Sequence, residues 1–235
     1  YCKQNCCWFL MFNHITMNFP KLEREEIDGV RYYKRAGETS LSRKVSITSV
    51  TSFHNRHIFK DWRKKVGEEV ANRINKQATS RGTALHTLVE NYLNNETIPE
   101  VEPLPNFLFK ISKSELDNIN NIYALETPLL SEYFGIAGTV DCIAEYKGEL
   151  AVIDFKTSKT PKPREWIEHY FVQCAAYACM FYELTDIPVK KLVIIMACED
   201  GDCVLYEEYD KMKYIKLLKE YVNEFVQFKL KEYGR

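Results

Sequence analysis

No stretch of this 235-residue chain holds the ~18 consecutive apolar residues of a membrane-spanning helix. The apolar run Trp8 to Phe12 is too short for a secretory leader, and no convincing basic segment precedes it. No two cysteines have the CxxC spacing from which structural zinc and iron–sulfur ligands usually come. Cys142, Cys174, Cys179, Cys198 and Cys203 are scattered over predicted strands and a helix, and read as buried thiols in a reducing compartment. A GxxxxGK(S/T) loop is absent, so no bound nucleotide is implied. An excess of one charge is also missing: 32 basic against 33 acidic residues give a net charge of −1. That excludes a histone-like basic protein but leaves room for a local basic stripe. Repeats, low-complexity tracts and long Gly/Ser linkers are absent too.

What is present describes an ordinary globular protein, 46% hydrophobic and 28% charged, long enough to bury a substantial core. Residues 1–16 look foreign to the rest. They carry three of the eight cysteines, and Met17 opens a more ordinary polar sequence. They are expected to be an unstructured tail or upstream translated sequence, with 17–235 forming one domain. The periodicity predicts a helical region over about 47–118: a short helix from Ile47 to about Phe59, a charged one over Lys60–Thr79, a third introduced by Gly82-Thr83, and a fourth from Phe107. The period then changes. Three consecutive strands are expected over Tyr123–Tyr133, Ile136–Tyr146 and Glu149–Thr157, then a helix over Arg164–Leu184 and strands over Leu192–Cys198 and Val204–Tyr209. These close a core of about 121–210, and an amphipathic helix over 212–230 follows. The order implies an α/β or α+β domain with a central mixed sheet.

The most informative stretch is Gly138-Thr139-Val140-Asp141 followed by Val152-Ile153-Asp154-Phe155-Lys156. The two read as strands meeting at Lys147-Gly148. A two-residue loop pairs Tyr146 with Glu149 and sets Asp141 opposite Asp154, with Lys156 on the same side. A four-residue loop keeps this register, whereas a three-residue loop with a glycine bulge shifts it by one. Opposed Cβ atoms lie roughly 4.5–5.5 Å apart, where like charges destabilise a sheet. Ile143, Leu150 and Val152 continue the same face as apolar side chains, and a buried carboxylate left unneutralised is expensive. Two acids and an ammonium at the end of an apolar hairpin therefore point to a divalent cation between the acids. The bland alternative is a pair of solvated strand-end carboxylates.

Other residues are ambiguous alone. His86 flanks the apolar face formed by Leu85, Leu88, Val89, Tyr92 and Leu93; such a histidine is more often a hydrogen-bonded boundary residue than a metal ligand. Gln173 and Tyr177 lie one helical turn apart on a stripe with Trp166, Tyr170 and Phe181. A buried amide there needs a partner, which nearby backbone could supply. Glu126 sits within the first of the three strands, where a plain strand carboxylate is equally natural. Lys60, Arg63, Lys64, Lys65, Arg73, Lys76 and Arg81 form a basic stripe, although helical charge runs are usually solvated faces.

Taken in order, Gly82-Thr83-Ala84-Leu85-His86, Asp141, the Asp-x-Lys of 154–156 and the Gln-x-x-x-Tyr of 173–177 resemble the PD-(D/E)XK nuclease superfamily in its RecB-like exonuclease branch. The run from Val152 to Pro163 is similar to that of the mitochondrial genome maintenance exonucleases and their phage and bacterial relatives. The resemblance implies a restriction-endonuclease-like core, with a three-stranded antiparallel meander in a helix-flanked mixed sheet. It implies a metal-dependent DNA exonuclease acting from single-stranded ends in replication, repair or recombination. His86, Asp141, Asp154 and the Phe155 carbonyl would ligate Mg²⁺ or Mn²⁺, and Lys156 would orient the attacking water. Gln173 and Tyr177 would organise the site, with Glu126 as an accessory acid. Lys60, Trp62, Arg63, Arg81, Thr157 and Lys159 are the candidate nucleic-acid contacts, with Phe53 and Phe59 as further stacking surfaces.

Some members of that branch carry an iron–sulfur cluster held by one cysteine before the core and three after it. Cys174 and Cys179 fall in mid-helix here and no cysteine triplet closes the chain, so no cluster is expected. A helicase or replication protein would have to supply single strands. The lack of an Arg-rich, acid-poor presequence argues against mitochondrial import and for the cytoplasm of a bacterial or phage-infected cell. Two other readings compete: an endonuclease on the same core, and a nucleic-acid-binding module without catalysis.

Overall fold

Two dipeptides, Asp28-Gly29 and Lys147-Gly148, reverse the chain with positive φ at both positions (50° and 72°; 52° and 82°), as a two-residue hairpin loop of this hand requires. In the computed structural model, which describes residues 11–234, the first closes β1 (Leu22–Ile27) and β2 (Val30–Arg35), followed by the short β3 (Lys44–Ser46). Hydrophobic alternation does not reveal β1, because Leu-Glu-Arg-Glu-Glu-Ile is almost wholly polar. Asp28-Gly29 is the local signal that does.

The helical region holds α1 (Ile47–His54), α2 (Arg56–Val66), α3 (Glu68–Leu93) and α4 (Pro103–Leu116). Its divisions differ from those expected. The break falls at Gly67, whose φ of 86° and N–H bond to the Arg63 carbonyl at 2.8 Å end α2. At Gly82, by contrast, α3 runs on unbroken, since a mid-helix glycine costs only about 1 kcal/mol against alanine. Pro103 sits at the start of α4, where its missing N–H is harmless, so that helix begins earlier than Phe107.

There follow β4 (Ile119–Ser131), β5 (Ile136–Tyr146), β6 (Glu149–Ser158), α5 (Glu168–Thr185), β7 (Lys191–Cys198), β8 (Cys203–Glu208) and α6 (Lys211–Tyr233). The eight strands form one mixed sheet in the order β1-β2-β3-β5-β6-β7-β8, with β4 on β5. The β3–β5 and β6–β7 pairs are parallel and the others antiparallel. The expected mixed α/β architecture and its antiparallel meander are present. One face of the sheet buries Ile143, Val152 and Ile194 under α1, α5 and α6; the other buries Ala144, Ile153 and Val193 under α3 and α4.

β5 is the hub. β4 runs along one edge of it from Ile136 to Tyr146. The other edge is shared, with Cys142–Tyr146 paired to β6 and only Ile136 and Ala137 paired to β3. Between these, Gly138–Asp141 pair with neither strand. The sheet forks there, and the fork holds the acids.

Residues 1–10 lie outside the described residues. Residues 11–16, expected to belong to an unstructured tail, are instead docked. Phe12 is buried beside Leu93 and Ile122, its N–H bonds Asn95 Oδ1 at 2.8 Å, and the Ile15 N–H bonds the Ile122 carbonyl at 2.7 Å. An aromatic side chain with room against α3 and β4 overrides the odd composition of its neighbourhood.

Candidate active site

The hairpin register is the expected one, from Tyr146 opposite Glu149 to Cys142 opposite Ile153. Beyond Cys142 the strands part, and the Asp141 side chain fills the gap. Its Oδ2 accepts the Phe155 N–H at 2.9 Å, replacing a lost ladder bond. Asp141 is thus fixed by the backbone of the strand that carries Asp154.

Glu126 lies across β4 from Asp141, between the pairs Leu125–Cys142 and Thr127–Val140, with φ of 43°. A non-glycine residue held there stores of order 1–3 kcal/mol of strain. Thr127 Oγ1 clamps the kink, accepting the Leu125 N–H at 3.2 Å and donating to the Leu125 carbonyl at 2.9 Å. The carboxylate reaches His86 on α3: Nδ1 lies 3.1 Å from Glu126 Oε1, while Nε2 lies 3.0 Å from the Phe155 carbonyl and 3.7 Å from Asp141 Oδ2. Burial opposes a charge on this imidazole, but Asp141 and Glu126 outweigh it and raise its pKa to about 9. Both ring nitrogens then donate. One ligand atom each from His86, Glu126 and Asp141 lies within 4.8 Å of the others, a spacing that suits a cation.

Asp154 does not join that group. It pairs with Lys156, Oδ2 to Nζ 2.5 Å. Both Asp154 oxygens are buried yet lack any partner in hydrogen-bond geometry. Burial pushes its carboxyl up to about 6, with Lys156 opposing and Asp141 reinforcing the shift. Lys156 is raised: burial disfavours its charge, but Asp154 and Asp141 more than restore it. A desolvated carboxylate with open lone pairs, beside a second fixed carboxylate and a main-chain carbonyl, is a hard oxygen donor set. It fits Mg²⁺ or Mn²⁺.

Gln173 and Tyr177 are buried on α5, 3.5 Å apart from Nε2 to Oη. Tyr177 packs onto the open segment of β5 because Gly138 has no side chain: a Cβ there would stand 2.8 Å from Tyr177 Oη and 3.0 Å from Ile47 Cγ2. Trp166 does not share their buried stripe. It lies in a 3₁₀ turn, Arg164–Ile167, before α5, and is 71% exposed. The three-residue period of that turn takes it out of phase with the α-helix.

A cleft of about 430 Å³ opens onto this centre, lined by His86, Lys156, Arg81, Thr157, Lys159 and Lys162 among others. Arg81 bonds Thr157 Oγ1 at 3.1 Å and pairs with Glu199. Three candidate nucleic-acid contacts are therefore at the cleft. Lys60, Trp62 and Arg63 on α2 are not among its lining residues, and Arg63 is held by Glu68 at 3.0 Å.

The model of the PD-(D/E)XK nuclease superfamily matches residues 59–227, most of the chain and all of this centre. The chain belongs to that superfamily. The chain is 28% identical over 206 residues to human mitochondrial genome maintenance exonuclease 1, an alignment covering 83% of this chain and 59% of that protein. Its identity to the Xenopus tropicalis protein of the same name is 32% over 130 residues, 52% of this chain and 37% of the relative. The chain thus spans under two thirds of the length of these relatives. A crystal structure from Eubacterium rectale, described as that of a candidate exonuclease, overlays 65% of this chain and 66% of its own with a TM-score of 0.47 at 15% identity.

Glu126, which the family resemblance gives as an accessory acid, stands with His86 and Asp141, a position set by a backbone kink that no residue type announces. One feature escapes sequence reading. Lys162 stands in the cleft wall, its Nζ 3.4 Å from Tyr170 Oη; its only signal is a place in the run Lys156-Thr157-Ser158-Lys159-Thr160-Pro161-Lys162.

Proposed function

We propose that this chain is a metal-dependent deoxyribonuclease that hydrolyses phosphodiester bonds from single-stranded DNA ends, in replication, repair or recombination. The observation that carries this reading is the fork of the sheet, where two carboxylates, an imidazole and a main-chain carbonyl adjoin a desolvated Asp154–Lys156 pair at the floor of a basic cleft. His86, Asp141, Asp154 and the Phe155 carbonyl, with Glu126, would hold Mg²⁺ or Mn²⁺, which when bound supplies Lewis acidity and a water of lowered pKa. Asp141 keeps its geometry through the Phe155 N–H. Lys156 places a full positive charge where the phosphoryl oxygens gain negative charge, and orients the attacking water. Glu126 fixes the His86 ring through Nδ1, and Gln173 and Tyr177 brace the open segment of β5. Arg81, Thr157 and Lys159 meet the substrate backbone.

With no GxxxxGK(S/T) loop in the chain, single strands would come from a helicase or other replication partner. Five free thiols among the described residues, three of them buried, fit a reducing compartment such as the cytoplasm that the sequence suggests; the word mitochondrial belongs to the names of the relatives. No helix among the described residues is long and apolar enough to cross a membrane.

A time course on end-labelled linear and on circular single-stranded DNA, with Mg²⁺, Mn²⁺ or EDTA, tests the proposal. Expected is metal-dependent loss of linear strands only. Rapid cutting of circles would make the chain an endonuclease, and metal-independent binding with no product would make it a binding module.

A further inference from the structure

Beside the catalytic cleft lies a second hollow of about 600 Å³, between α2 and the turn that leads into α5. The two spaces share Lys162 and Tyr170 as a common wall. Large apolar side chains gather on its rim with most or half of their surface open: Trp166 at 71%, Ile58 at 57% and Phe59 at 50%. Deeper in, the rings of His169 and Tyr170 lie 4.1 Å apart. Burial, with Lys162 and Lys156 nearby, pushes the His169 pKa down to about 4, so this ring is neutral at physiological pH.

The charges are sorted. Lys156 and Lys162 stand over the Tyr170 ring, at 5.0 and 5.6 Å from its centroid, on the side shared with the cleft. The hollow itself carries Glu165 and Glu168, the latter engaged by Lys213 at 3.2 Å. Phosphate is therefore drawn to the shared wall and repelled from the hollow, whose flat uncharged faces suit a nucleobase.

We propose that this hollow is a base-stacking subsite: a nucleotide beside the scissile phosphate lays its base against Trp166 and Phe59 while Lys162 meets its phosphate. The inference rests on DNA being the substrate of the adjoining cleft, and deepens that reading into a source of strand preference. Every base offers a π-face, so the contact tolerates any sequence. Bases in a duplex are stacked on each other and cannot enter without unpairing.

Binding of fluorescently labelled oligothymidylate, followed by anisotropy in EDTA to prevent turnover, tests it. Trp166→Ala and Phe59→Ala remove largely exposed side chains, so folding is unaffected and thermal melts check it. Each is expected to weaken binding roughly 5- to 100-fold, the loss typical of one base–aromatic stack, with Trp166→Phe restoring most of it. An abasic position scanned along the oligonucleotide should weaken the wild type at one register and leave Trp166→Ala indifferent. Unchanged affinity in both alanine variants, with a wild type that still binds and cleaves, overturns this inference alone and leaves the aromatics to a protein partner. A wild type that neither binds nor cleaves single strands removes the substrate reading, and the subsite with it.

Discussion

Two lysines pair with acids at opposite ends of the β6–β7 ribbon, and they are built differently. Lys191, its side chain 3% exposed, bonds Glu207 at 3.1 Å, pairs with Glu149 at 3.6 Å and lies 5.0 Å from the centre of the Tyr146 ring. Its acids are half exposed, and water completes their shells. Lys156 also sits over a tyrosine ring, but its acid is the buried member: the Asp154 side chain is 2% exposed, and apart from the Lys156 ammonium its oxygens meet no donor in hydrogen-bond geometry. The first arrangement satisfies its own charges. The second buries a carboxylate whose lone pairs one ammonium does not fill, an expense that folding alone gives no reason to keep. A buried ion pair becomes a functional candidate when its carboxylate, rather than its ammonium, is left short of partners.

The sharpest way to break this contrast is to change the unfinished pair. Asp154→Asn is expected to abolish nuclease turnover while the melting temperature of the metal-free protein at pH 8 holds or rises, because a carboxylate disfavoured by burial has gone. Lys156→Ala should lower turnover about 10²- to 10³-fold, the loss usual for one preorganised electrostatic donor, with DNA affinity largely kept. Rates from single-turnover cleavage beside calorimetric melts decide the matter. A fall in stability that matched the fall in rate would make Asp154 a structural residue like Glu207.

How much of this was legible in the sequence follows from where the information is local. Lys147-Gly148 and strict alternation specify a register, so Asp141, Asp154 and Lys156 are placed by counting, and the structure keeps that register to Cys142–Ile153. The splaying beyond it was not legible, because it depends on β3 displacing β6 along β5, a contact between segments some ninety residues apart in sequence, as with Ser46 and Ala137. Glu126 was legible as an accessory acid through the family resemblance; its positive φ was not, because it goes with the Thr127 clamp on Leu125 and the contact with His86 from α3. The α2–α3 division was misplaced because two glycines of similar appearance, Gly67 and Gly82, differ in φ, which neither neighbouring sequence declares. The basic stripe divides in a way its charges do not announce: Arg63 engages Glu68 locally, whereas Arg81 lines the cleft.

A smaller effect sharpens the comparison through pH. His86 has its pKa raised from 6.5 to about 9 in the folded protein. The stability this contributes is complete below about pH 6.5 and is lost as pH rises through 9. Asp154 is raised from 3.8 to about 6, so its contribution is present below 3.8 and lost as pH rises through 6. Both act in one direction: the metal-free protein should lose stability between about pH 4 and pH 9, by on the order of 3 kcal/mol for each of the two groups. Mg²⁺ or Mn²⁺ competes with these protons, so the rise in melting temperature on adding either ion should be greater at pH 8 than at pH 5.5. Equal shifts at the two pH values would mean that the ion binds away from His86 and Asp154.

The last test falls on the completed pair. Lys191→Met keeps the apolar stem against Tyr146 and removes only the ammonium. Glu207 and Glu149, at 32% and 40% exposure, can turn to water once it has gone. The loss should therefore be about 1–3 kcal/mol, near that of a charged hydrogen bond, rather than the ~3–5 kcal/mol of breaking a fully buried pair. Parallel pairing sets Lys191 beside Ala151 and Met196 beside Lys156, five residues further on, so the change lies roughly 16 Å from the cleft along the strand. Turnover should be unchanged at a temperature where the variant is folded. Urea unfolding and cleavage rates measured on the same preparation read both quantities. Lost turnover at full stability would show that the two ends of the ribbon are coupled, and that an ion pair complete in itself can still serve the site at the other end.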